Sequence, residues 1–345
     1  MHTINLGNFS IRTDLLIDEL SKENNTKSNI KKTIYYQDIV LEEIEINKDN
    51  KTLFSRKEGF YKTITFKDVT DKTNYKRVEE VFIKSLKDLI NSLNIKDEDS
   101  CLIIGLGNDK STPDSLGPKV IENILVTNHL FSLGEVEKGY RKVASFKPSV
   151  TGTTGIETKD IIVSIINTVK PDFLIVIDSL ASRSIDRLNK TIQITSSGIS
   201  PGSGIGNNRE ELSYDTLKIP VIAIGIPTVV DATTIVNDTF TYMLKQLSYK
   251  LDNKDNNKLK LVPNNKQNYL DYNNTLSQED KEKVLGYIGS LEEDEFKNLI
   301  YEVLIPINSN LMVTVKEIDF IIDKLSLLLA NGINKTLHKN FNPTK

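Results

Sequence analysis

Two aspartates occupy matching places in this sequence. Asp114 lies in GLGNDKSTPDSLGPK, residues 105–119, which follows directly from the apolar run CLII, and Asp178 closes the run FLIVID before SLASRS. Each stands just past a short apolar stretch that reads as a buried strand. In open parallel sheets the carboxyl ends of the strands form the crevice where ligands bind, so acids delivered there from different strands can meet. Two adjacent carboxylates do not both ionise readily; the pair holds one proton, and such a pair suits hydrolysis. Each acid also has a plainer reading. Asp114 fits the N-cap of the helix that follows it, and Asp178 fits a cap or a metal ligand. A third strand-end acid, Asp231 in GIPTVVDATT, opens a clean helical run and reads as a cap.

Other chemistry-bearing residues are sparse. Of three histidines, His2 and His338 lie near the ends of the sequence and His129 follows the helix-like run after Asp114, and no two are spaced as metal ligands. A single cysteine, Cys101, begins CLIIGLG and reads as a buried strand thiol. The glycine-rich pieces GLGN and PGSGIGNNR lack the full G-x-G-x-x-G fingerprint of a dinucleotide site. Gly107 and Asn108 offer backbone and side-chain donors to a developing oxyanion. The loop KPSVTGTTGIETKD reads as a packed turn or as a set of amides for a carbonyl or anion. Arg183 and Arg209 read as solvated cations or as partners for acidic side chains of a substrate.

The elements that must position these groups follow from the patterning. In 345 residues, 44 Lys+Arg against 47 Asp+Glu give a net charge of -3, without the basic footprint of a nucleic-acid binder. No stretch approaches about eighteen consecutive apolar residues, and the beginning lacks a basic, then apolar, leader pattern. The expectation is a soluble cytosolic protein. Residues of about 33–70, β-branched and aromatic around the turn KDNK, predict antiparallel strands. Val78, Val81, Phe82, Leu86, Leu89, Ile90 and Leu93 mark one face of a helix. From there to about 250, CLIIGLG, FLIVID, TIQITS and PVIAIGI read as strands. DSLGPKVIENIL, KDIIVSIINTV and TIVNDTFTYMLKQL read as the helices between them. The prediction is an α/β core with a mainly parallel sheet covered on both faces. After a polar Asn/Lys-rich loop, residues of about 275–335 read as helices, the last ended by Gly332.

Taken together, FSIRTDL, GLGN with STPDSLGPKV, KPSVTGTTGIET, VIDSLASRS, TIQITSSGISPGSGIGNNR, GIPTVVDATTI and LMVTVKEID resemble the germination proteases. These endopeptidases degrade small acid-soluble spore proteins when bacterial spores germinate. The resemblance runs almost end to end, and departs at Pro148-Ser149-Val150, where related chains tend to read Pro-Gly-Val. It implies that Asp114 and Asp178 are the catalytic pair, that no cofactor is used, and that the core resembles hydrogenase maturation proteases, which use a metal; the near absence of usable histidines argues against a metal here. It further implies a homotetrameric zymogen of the forespore or spore core, acting on small acid-soluble spore proteins, with neither nucleic acid nor membrane as direct partner. Residues 1–14 are then a pro-segment, removed by self-cleavage between Asp14 and Leu15, ahead of one peptidase domain over 15–345. A metal-dependent endopeptidase using the same aspartates as ligands, and a non-enzymatic spore-protein binding module, are the competing readings.

Overall fold

The structure is a computed structural model that describes residues 15–16, 30–51, 54, 56–134, 136–202, 210–252, 276–304 and 311–342. The chain divides into two compact units, one of residues 12–229 with 314–345 and one that includes Val230–Val313.

In the larger unit the strands are β1 (Lys31–Tyr35), β2 (Ile39–Ile46), β3 (Gly59–Thr65), β4 (Cys101–Gly105), β5 (Val143–Phe146), β6 (Phe173–Ser182) and β7 (Thr191–Thr195), together with β8 (Val221–Asp231), whose last two residues belong to the smaller unit. Their order across the sheet is β1-β2-β3-β7-β8-β6-β4-β5. The α/β class is as expected, with a mixed sheet. β4 pairs parallel with β5 and β6, whereas β1, β2, β3, β7 and β8 pair antiparallel with one another in turn. The N-terminal strands are continuous with the core, because β3 pairs with β7 from Tyr61↔Thr195 to Thr65↔Thr191. Sequence patterning runs TIYYQDIVLEEIEIN together as one extended stretch. Tyr36 and Gln37, both at positive φ, break it into a hairpin without the Asn-Gly signal that usually marks one.

Strand alternation sorts the core into two faces. Cys101, Ile103, Ile175, Ile177, Ile192, Ile194, Ile222, Ile224 and Ile226 point to one side. There they pack with helix α1 (Lys72–Ser92), the short α2 (Leu116–Ile121) and the long C-terminal helix, α11 (Ile318–Leu337). Leu102, Ile104, Leu106, Leu174, Val176 and Val221 point to the other side and meet Ile162 of α5 (Thr158–Val169). Helix α1 buries the predicted stripe Val78, Val81, Phe82, Leu86, Leu89 and Ile90, and its N-cap Asp71 accepts from Asn74 N at 2.8 Å. Gly332 does not end the last helix, which continues to Leu337. A Cβ at Gly332 would lie 2.4 Å from the Phe82 ring, so this glycine is required by the close approach of α11 to α1. Between β4 and α5 lie α3 (Asn128–Leu133) and α4 (Thr151–Thr154), and α6 (Tyr214–Leu217) precedes β8.

The smaller unit holds the end of β8, then α7 (Ala232–Asp252), α8 (Gln278–Leu285), α9 (Tyr287–Ser290), α10 (Glu293–Leu304) and the two-residue strand β9 (Met312–Val313). β9 pairs antiparallel with Val230 and Asp231, and Phe240 of α7 stacks on Phe296 of α10 with ring centres 4.3 Å apart.

Candidate active site

The site is built on the parallel part of the sheet. β4 stops at Gly105, level with Ile177 of β6, and Leu106 N donates to Ile177 O at 2.8 Å. The chain then turns over the sheet end through Gly107 to a 3-10 turn, Thr112–Asp114, and enters α2 at Leu116. Two glycines permit so tight a path. A Cβ at Gly105 would lie 2.3 Å from Gly117 O, and a Cβ at Gly117 would lie 2.3 Å from Leu106 O and 2.7 Å from Ile177 O. The start of α2 therefore rests directly on the ends of β4 and β6, and the 3-10 turn carrying Asp114 packs against β6.

Asp114 is not the N-cap of α2. Ser115 holds that position, and its hydroxyl donates to Thr112 O at 2.8 Å instead of bonding the helix. The Asp114 carboxylate turns back toward the preceding loop, where Oδ2 accepts from Asn108 N at 2.9 Å, and the same amide lies 3.0 Å from Asp114 O. Gly107 makes this possible. Its φ of +112° is open to glycine, and a Cβ there would stand 2.0 Å from Asp114 O. Of the two proposed oxyanion donors, Asn108 commits its backbone N–H to Asp114, and its side-chain oxygen accepts from Lys110 N at 3.0 Å.

Asp178 lies inside β6, which runs on to Ser182 rather than ending at FLIVID. It is buried, at 6 % exposure, and its Oδ1 accepts from Ser179 N at 2.9 Å. It follows Ile177, the residue level with the end of β4, so it stands where the neighbouring strand has already finished. Asp114 thus lies on a loop over the sheet end, and Asp178 lies one residue past that end on the adjacent strand.

The remaining candidates fall elsewhere or outside the description. Arg183 follows directly on β6 and is half-buried. Arg209 and Asp14 lie outside the described residues, whereas Leu15 is fully buried. Asp231 behaves as a cap, its Oδ1 accepting from Thr233 N at 2.6 Å in the first turn of α7. Cys101 is a buried strand thiol whose pKa burial pushes up. His129 is exposed on α3, while His338 is buried near Arg141, whose backbone N–H donates to His338 Nδ1 at 3.2 Å; burial holds the imidazole below its ordinary pKa. Among the described residues no three His, Cys, Asp or Glu side chains gather as a metal site, and no helix is long and apolar enough to cross a membrane. Sequence reasoning passes over Gly105 and Gly117 as positioning residues, although small residues flanking the acidic loop are the available signal.

Comparison with known proteins covers nearly the whole chain. The germination protease family model matches residues 12–345. The germination protease of Bacillus licheniformis is 45% identical over 98% of this chain and 96% of its own length. Those of Priestia megaterium and Bacillus subtilis are each 43% identical over 97% of this chain and 95% of theirs. Among solved structures, a [NiFe] hydrogenase maturation protease HycI from Thermococcus kodakarensis KOD1 matches 42% of this chain and 80% of its own at 18% identity, with a TM-score of 0.28.

Proposed function

Because the chain belongs to the germination protease family and so is a protease of spore germination, we propose that Asp114 and Asp178 hydrolyse its peptide substrates as a proton-sharing pair. The observation that carries this reading is that Asp114 is spared from capping. Its carboxylate is held by the Asn108 amide over the sheet end, on a turn packed against the strand that bears Asp178. Like charges in one site raise one of the two pKa values, so one acid stays protonated when the other is ionised. The ionised acid then draws a proton from water as it attacks the amide carbon. The protonated partner polarises the carbonyl and passes a proton to the leaving nitrogen. The Gly107 backbone amide and the cations Arg183 and Arg209 are proposed as substrate contacts.

The substrates on this reading are the small acid-soluble spore proteins, met in the forespore or spore core by a homotetramer. The chain is made as a zymogen, and it removes residues 1–14 itself by cutting Asp14–Leu15, in the sequence Arg12-Thr13-Asp14-Leu15-Leu16. An acidic residue followed by an apolar one fits the cleavage preference expected of such an enzyme. The test is incubation of the purified full chain, with N-terminal sequencing of the product and hydrolysis of a spore-protein substrate as readouts. A mature chain that begins at Leu15 and cuts the substrate supports the proposal. A different mature end sinks the processing step, and activity that disappears on chelation and returns with one divalent ion sinks the acid-pair mechanism.

A further inference from the structure

The face of the sheet that carries Asp178 also carries a buried glutamine, Gln193, in the middle of β7. Gln193 pairs with Gly225 of β8, so both present their side-chain positions to one face. A Cβ at Gly225 would stand 2.4 Å from the Leu180 side chain, which puts Leu180 of β6 on that face as well. Asp178, two residues from Leu180 on the same strand, shares it. Along this face β7 presents Thr191, Gln193 and Thr195, all buried, and β3 presents Thr63 opposite Gln193. A buried carboxamide between Ile192 and Ile194 is costly unless its hydrogen bonds are met. Gln193 Oε1 meets one by accepting from Leu16 N at 2.9 Å. Leu15 and Leu16 are themselves 0% and 1% exposed, and Leu16 packs with Ile44, Ile46, Phe54 and Tyr61.

We infer that Gln193 is the positioning residue for the self-cleavage site: from β7, two strands from the β6 strand that bears Asp178, it fixes Leu16 in register on the face that carries that acid. This rests on the self-processing reading above. Apolar contacts alone hold a segment without fixing its register, because they are not directional. The Gln193 bond sets one residue at one height, and so sets where the preceding bond stands. Water adding across Asp14–Leu15 leaves a carboxylate on Asp14 and an amine on Leu15. Leu15 and Leu16 then stay with the body as a buried plug while residues 1–14 are free to leave.

Gln193→Met keeps length and apolar contact but removes the oxygen acceptor, Gln193→Glu keeps an acceptor, and Gln193→Thr matches its neighbours while being too short to reach. In the uncut chain, Gln193→Met is expected to speed hydrogen exchange at the Leu16 amide about tenfold, the scale of one lost hydrogen bond. The maturation cut should slow comparably or scatter over neighbouring bonds by mass spectrometry. Hydrolysis of an added peptide by matured enzyme should be unchanged, and Gln193→Glu should restore both readouts. If Gln193→Met does not fold, Gln193→Thr must show the same pattern. Unchanged exchange at Leu16, faster exchange with the cut unaltered in place and rate, or peptide hydrolysis falling in step with maturation would each overturn the inference. A wild-type chain with a protected Leu16 amide that is never cut before Leu15 overturns the self-processing reading, and leaves the clasp as a structural contact only.

Discussion

The chain leaves its sheet through an aspartate-bearing junction after β4 and again after β8, and the two junctions use the same residue type to opposite ends. After β8 the path is direct. Asp231 is the last strand residue, α7 begins at Ala232, and the carboxylate is spent on Thr233 N in the first turn. After β4 ten residues intervene before α2, the close approaches along that path are met by Gly105, Gly107 and Gly117, and Asp114 is turned away from the helix it precedes. A capping acid satisfies an orphan backbone donor and is finished. An acid held by a loop amide at a sheet end is fixed in place without serving the helix. Helix capping and catalysis thus compete for the same local sequence, Asp before a helix, and the glycines around it decide between them.

The largest expected effect tests that contrast directly. Asp114→Asn and Asp178→Asn each keep the shape of the side chain but remove the exchangeable proton, so each should lower peptide hydrolysis by at least about a hundredfold, the lower end for loss of a general acid or base. Thermal unfolding should confirm that both variants fold. Full activity in Asp114→Asn would make the β4 junction structural like that of Asp231, and full activity in Asp178→Asn would break the acid pair.

Gly107→Ala comes next. The added methyl meets Asp114 O at 2.0 Å in a backbone conformation with φ +112°, so the loop must shift and carry the carboxylate with it. Overpacking of this kind costs about 3 kcal/mol or less, and misplacement of the acid should lower kcat at least about tenfold. A variant that loses stability but keeps kcat would show that the loop does not set the position of Asp114.

Asp231→Ala should be quieter. Loss of a cap costs about 1 kcal/mol, read as a lower denaturant midpoint, with kcat and KM unchanged. A fall in kcat without a fall in stability would move Asp231 into the site.

How far the sequence reveals this arrangement follows from what each signal encodes. Helix α1 is legible because burial on one side leaves a three-and-four spacing, and the strand runs are legible because both of their faces are apolar. Strand ends are not. β6 continues from FLIVID through SLAS, and β8 through PTVVD, because serine, threonine, proline and aspartate interrupt the apolar pattern there while the backbone stays in the sheet. β5, only VASF, is too short for any periodicity to register. The two aspartates stand out by position after apolar runs, and both lie at one sheet edge. Whether Asp114 caps cannot be read from the sequence, since that depends on where its carboxylate turns. Likewise Gly332 looks in sequence like a helix stop, and only the nearness of Phe82 explains a glycine inside α11.

The smallest effect concerns a second positive-φ residue after a strand, and it sharpens the meaning of the first. Ser149 follows β5 at φ +64°, ahead of the short helix α4, in a backbone conformation that favours glycine. A side chain in the left-handed region crowds its own backbone, at a cost of about 1 kcal/mol. Glycine escapes that crowding but gives up more freedom on folding. The two terms partly cancel, so Ser149→Gly should stabilise the chain by about 0.5 kcal/mol. The contrast with Gly107 lies in the surroundings. There a side chain is excluded by an oxygen 2.0 Å away as well as by φ, and that oxygen belongs to the acid being positioned. At Ser149 the side chain is already accommodated, and only the backbone term is at stake. Chemical denaturation of Ser149→Gly beside Gly107→Ala measures the two terms separately. A loss of stability at Ser149→Gly would mean that the serine side chain makes a contact that outweighs its backbone strain.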